Sequence, residues 1–151
     1  MGLDMYLYKK TYIGANWEHN NVKGIIELTE GEDNHPIPIQ LNRVSTIVES
    51  VGYWRKAYHI HQWFVENVQS FGDDCEEYYV SREQLLRLVR LCKVVLENKE
   101  AAKDILPIPE GFFLGDVEYG DWYFDALQYT IDMLTPLIRE VGGEYYYTPS
   151  W

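Results

Sequence analysis

The sequence predicts one α+β domain, a small N-terminal antiparallel sheet of three strands followed by three helices. Three observations carry this. Residues 3–13 alternate apolar and polar, whereas the segments around 54–68, 85–96 and 124–138 repeat apolar side chains every three or four positions. The length of 151 residues matches a single domain with a real core, and no repeat or low-complexity linker divides it.

In the first strand Leu3, Met5 and Leu7 point one way and Asp4, Tyr6 and Tyr8 the other, the period of a half-buried strand. Residues 14–21 are polar and turn-rich, and residues 22–28 offer a second strand with Gly24 marking a bulge. The acidic loop TEGEDNHPIP follows. Pro36 and Pro38 carry no N–H, so residues 37–41 are at best an edge strand. Residues 43–51 are β-branched and lead into the first helix.

That helix is expected over 53–69, with Trp54, Ala57, Tyr58, His61, Phe64, Val65 and Val68 on one face. A capping box, Ser81-Arg82-Glu83-Gln84, opens the second, where Leu85, Leu88, Val89, Cys92, Val95 and Leu96 form the apolar stripe. The two prolines of residues 105–109 break the pattern, and GFFLG at 111–115 reads as a short buried strand or tight loop. The third helix begins near Asp121 and carries Phe124, Leu127, Ile131, Leu134 and Ile138; Pro136 should kink its last turns and Gly142-Gly143 end it. The tail EYYYTPSW is too aromatic for a solvated end and is expected to dock as an edge strand or interface arm.

A net charge of −11 disfavours nucleic acid and anionic membrane and favours cationic partners. It also suits an acidic mimic of DNA. No segment approaches a membrane span, the start has no signal-peptide run, and Tyr6 spoils a myristoylation pattern. Cys75 and Cys92 make no metal or redox motif, as expected in a reducing cytoplasm.

The ligand candidates cluster between residues 51 and 80. On a helix over 53–69, Arg55, His59, Gln62 and Glu66 form one outward stripe with Lys56 and Trp63 beside it. Arg55 and Lys56 would pair with an anion, His59 would donate a further hydrogen bond, and Trp63 with Tyr78 or Tyr79 would stack a ring. The bland alternative is an ordinary solvated helix face. His59 and His61 diverge by about 200° on a helix, which disfavours a shared metal, and His61 reads as a hydrogen-bonded core residue. The Asp73-Asp74-Cys75-Glu76-Glu77 run lacks the spacing and glycine of a calcium loop and disfavours a thiolate at Cys75. Glu110, Asp116, Glu118 and Asp121 do acid–base work only if the fold pairs two of them in a cleft. No nucleophile elbow, P-loop or dinucleotide fingerprint is present, so no catalytic residue, metal ligand or cofactor is assigned. Thirteen Tyr and five Trp exceed the needs of a core this size and point to a binding surface or oligomer interface.

The segments MGLDMYLYKKTY, GYWRKAYHIHQWFV, DDCEEYYVS, LPIPEGFFLG and YGDWYF resemble a group of small phage and prophage proteins. The likeness spans nearly the whole chain. Relatives often carry Phe in place of Leu114. The group has no settled activity, so the resemblance transfers no catalytic residue. It implies a phage-related setting in the host cytoplasm, where small proteins often act in counter-defence.

The function expected is therefore capture of an anionic, nucleotide-like signalling ligand by a non-enzymatic protein, with a homo-oligomer plausible. One alternative is an acidic DNA mimic or inhibitor of a basic host protein. Another is a metal-dependent hydrolase acting on a nucleotide.

Overall fold

The computed structural model describes residues 2–111 and 119–151. In chain order the elements are β1 (Asp4–Tyr12), β2 (Leu28–Glu30), β3 (His35–Ile37), β4 (Thr46–Arg55), α1 (Tyr58–Asn67), β5 (Tyr78–Val80), α2 (Arg82–Glu97), α3 (Ala102–Ile105), α4 (Asp121–Arg139) and β6 (Glu144–Ser150). The class is α+β as expected. The layout differs: a four-stranded antiparallel sheet in the order β4-β1-β6-β5, and a separate β2-β3 hairpin. The expected short strand or loop at 111–115 falls largely outside the described residues, as do Leu114, Asp116 and Glu118.

The alternation in β1 sets the sheet. Leu3, Met5 and Leu7 are fully buried, and the register places Trp54 and Gly52 of β4 and Tyr147 and Tyr145 of β6 on the same face. The helices close over that face. Trp54 donates Nε1–H to Thr130 Oγ1 of α4 at 2.9 Å and meets Phe64 of α1 edge-on. Phe64 stacks on Tyr147 with ring centroids 3.8 Å apart, and the Tyr145 hydroxyl donates to the Leu137 carbonyl of α4. At Gly52 α4 packs tightly on the sheet: an added Cβ would lie 3.0 Å from both Leu7 and the Met133 sulfur.

Three expectations need correction. The helix drawn over 53–69 is a strand through Arg55 followed by a shorter helix, because Trp54 pairs with Met5 and Arg55 with Asp4. A period of two and a period of 3.6 both bury Trp54, and the β1 partner decides between them. The strands expected over 22–28 and 37–41 form instead at Leu28–Glu30 and His35–Ile37, sharing only Leu28 and Ile37 with the expected spans; they pair with each other, and no bulge forms at Gly24. The register shift instead lies at Leu7/Tyr8 of β1, opposite β4. The tail does form a strand, but β6 is interior, held between β1 and β5.

Other readings hold. Gln84 N–H donates to Ser81 Oγ at 3.1 Å, while the Ser81 N–H donates to Gln84 Oε1 at 2.8 Å, completing the capping box. Cys92 is buried in α2, its thiol pushed up to about 12 by burial, and Cys75 is exposed. Pro136 does stand inside α4, but the helix ends at Arg139 on an extended Glu140 and not at Gly142-Gly143, which turn the chain into β6. Among the described residues no helix is long and apolar enough to cross a membrane.

His61 is indeed a hydrogen-bonded core residue. Its Nε2 lies 2.9 Å from Asp73 Oδ1 and its Nδ1 2.7 Å from the Tyr147 hydroxyl. A carboxylate only accepts, so Nε2 carries the hydrogen and Nδ1 accepts from Tyr147. The acidic run therefore helps to hold the fold. Asp73 anchors on His61, and Asp74 accepts from the Tyr78 hydroxyl at 2.8 Å. Tyr147→Phe should keep the stack on Phe64 yet strand the His61 nitrogen, at a cost of about 1–3 kcal/mol in chemical denaturation. A loss near zero would show that the bond does not form.

Candidate functional site

The turn between β4 and α1 is built by Lys56. Its N–H donates to the Leu3 carbonyl at 2.7 Å, extending the β1 pairing by one bond, and its φ of 55° then reverses the chain. A non-glycine residue held in the left-handed region is uncommon and carries strain. The reversal leaves Arg55 on the open face of the sheet and carries Ala57 and Tyr58 into the core. No side chain caps the start of α1, so the positive end of its dipole lies beside the two cations.

Next to this corner a cleft of about 340 Å³ opens along the free edge of β4, lined by Tyr53, Trp54, Arg55, Ala57, Asp125, Ala126 and Tyr129. Its walls are fixed. The Tyr129 hydroxyl donates to the Tyr53 carbonyl at 2.9 Å, satisfying an acceptor that the sheet edge leaves free. The Tyr53 hydroxyl donates to Asp4 Oδ1 at 2.5 Å. Arg55 Nε stands 3.9 Å from that same oxygen, an ion-pair separation too long for a hydrogen bond, and its side chain is 66% exposed. The donor fork of the guanidinium is thus open to solvent. Asp125 adds a carboxylate, a hydrogen-bond acceptor, to the lining.

The six residues expected to form one site are not brought together. Arg55 and Lys56 are adjacent and exposed at the strand–helix corner, though Arg55 is on β4 and not on a helix. His59 and Trp63 are not outward: they are 1% and 4% exposed. The His59 ring lies against Tyr123, centroids 4.2 Å apart, and edge-on to Trp122. Among the described residues neither His59 nitrogen nor Trp63 Nε1 finds a hydrogen-bond partner. Burial drives the His59 pKa down to about 3; the nearby Tyr123 backbone offsets this only in part and makes no well-aligned bond. His59 is neutral near pH 7 and belongs to the core. The outward stripe failed because the helix starts three residues after Arg55, which rotates His59 inward.

Tyr78 and Tyr79 lie on β5, at the opposite edge of the sheet from Arg55. Three strand spacings separate those edges, ~14 Å. Tyr79 is on the open face beside Tyr146, with Lys10 lying 4.4 Å above the Tyr146 ring and pairing with Glu77. The same face carries Tyr6, which contacts both Tyr8 and Tyr53. The surplus of tyrosine is therefore largely a sheet surface.

Sequence reasoning missed Tyr53, Asp125 and Tyr129. Tyr53 and Arg55 share a face only in a strand, so the helical reading separated them. Asp125 and Tyr129 stand four apart on α4, a spacing visible in the sequence but without a sign of what it faces. Among the described residues no three His, Cys, Asp or Glu side chains gather into a metal-binding group. Comparison with family models, curated proteins and solved structures finds no match to this chain.

Proposed function

We propose that the protein is a non-enzymatic binding protein that captures a small anionic, nucleotide-like ligand in the cleft at the β4–α1 corner. What carries this is the exposed Arg55 guanidinium, held at 3.9 Å from Asp4 and opening onto a cleft walled by Tyr53 and Tyr129. Arg55 forks onto phosphate, Lys56 and the start of α1 add positive potential, and the two phenol rings receive a base or sugar. Asp125 accepts from a ribose hydroxyl or an exocyclic amine, which favours a nucleotide over a bare anion. The cleft is at the small end of the range for ligand pockets. His59, Trp63, Tyr78 and Tyr79 leave the proposed site. In the phage-related setting that the resemblance implies, such capture would withdraw a signalling nucleotide from host defence.

Titration calorimetry against linear and cyclic nucleotides tests this. At least one should bind, and Arg55→Ala should weaken it by ~10- to 100-fold, the value of a charged hydrogen bond of about 1.5–3 kcal/mol. No binding across the panel, or an unchanged affinity in Arg55→Ala, would sink the proposal.

The open tyrosine face favours a second reading, an acidic protein that binds a basic host factor. Tyrosines with paired charges between them are the composition of a protein-binding surface. A salt-sensitive complex that Tyr79→Ala weakens and Arg55→Ala spares would support it.

A further inference from the structure

Residues 13–45 join β1 to β4, and from residue 15 through residue 50, in the first half of β4, none is buried. Within them β2 and β3 pair only with each other, three residues to a strand. A two-stranded hairpin of that length is marginal in water unless something covers it. The composition of the arm is nevertheless apolar. Eight large hydrophobic side chains between residues 12 and 48, among them Trp17, Ile25, Leu28 and Ile47, are 36–88% exposed. They do not all share one face, since Ile47 and Val48 are successive in β4 and point opposite ways, but Leu28, Ile39 and Ile47 come together in the lining of one groove.

Charge selects the occupant. Between the hairpin and the start of β4 lies an apolar groove of about 570 Å³, whose lining includes Ile26, Leu28, Ile39, Arg43 and Ile47. That lining holds one cation and no acid. Arg43 forms no ion pair among the described residues. The hairpin beside it, residues 27–37, carries Glu27, Glu30, Glu32 and Asp33 and neither Lys nor Arg. One chain therefore offers both an acidic apolar hairpin and an apolar groove marked by an unpaired arginine.

We propose that the protein forms a two-fold dimer through this arm, the hairpin of each copy seating on the Arg43 groove of the other. A two-fold axis makes each copy supply both halves of the contact, so the complementarity is used twice and the assembly closes. The overall negative charge opposes association elsewhere on the surface, which confines contact to the arm. The dimer covers the apolar side chains and orders a hairpin that the monomer leaves unsupported.

Sedimentation velocity at 1–100 µM should give twice the chain mass of 17.8 kDa. Leu28→Asp and Ile47→Asp, both exposed in the single chain, should each give a folded monomer by near-UV circular dichroism. Arg43→Glu should weaken the dimer at least ~10-fold. Hydrogen exchange of the unmodified protein should show amides in residues 22–40 slowing as concentration rises. A monomer at 100 µM, a dimer that survives both Asp substitutions, or arm exchange independent of concentration would overturn the proposal.

Discussion

Taking the protein from pH 7 to pH 4 is expected to remove about 3 kcal/mol of stability through His59 alone. The imidazole is buried without a hydrogen-bond partner among the described residues, and its pKa falls from 6.5 to about 3. Above pH 6.5 neither the folded nor the unfolded chain binds the proton, and the residue adds no pH dependence. Below it the unfolded chain takes up a proton that the folded chain refuses, so stability falls as pH falls, by ~1.4 kcal/mol per unit. The loss levels off near pH 3, where folded His59 is itself protonated. His61 acts in the same direction, since burial lowers its pKa more than Asp73 raises it. Urea midpoints at pH 7, 5 and 4 measure the effect. His59→Leu should remove most of the slope and, by deleting an unpaired buried polar group, cost little at pH 7. A slope unchanged by His59→Leu would place the protonation elsewhere.

Trp54→Ala is expected to destabilise by about 3–5 kcal/mol, the cost of emptying a large aromatic site in a core that cannot fully collapse. The indole is 2% exposed and lies where sheet, α1 and α4 meet, against Phe64 and Thr130. Most of the cost is cavity. Thr130 keeps its own bond to the Ala126 carbonyl at 2.7 Å, so losing the indole N–H orphans nothing. Trp54→Phe should therefore recover more than half of the loss in equilibrium denaturation. A penalty below about 1 kcal/mol for Trp54→Ala would remove the residue from the core.

Local chemistry was legible wherever it closed on itself. The Ser81–Gln84 box needs four consecutive residues and nothing else. The stripes of α2 and α4 and the alternation of β1 likewise show in the order of side chains, as does the core role of His61. The corner after β4 was not legible for the opposite reason. Trp54, Tyr58 and His61 fit a helical repeat well enough that the strand through Arg55 was hidden. Only the pairing of Asp4 with Arg55 and of Met5 with Trp54, some fifty residues apart, resolves it. From that single difference follow the burial of His59 and Trp63 and the separation of Arg55 from Tyr79.

By itself, then, the sequence determined that this is an α+β domain with amphipathic helices, one of them opened by a capping box, a half-buried first strand, an acidic surface and two adjacent cations at Arg55 and Lys56. These are properties of neighbours along the chain. The tertiary structure decided which strands pair, that the C-terminal tail fills the middle of the sheet, and that Tyr53, Asp125 and Tyr129 surround Arg55. Strand pairing between distant segments is settled by the burial of whole faces, and a local window holds no information about the partner.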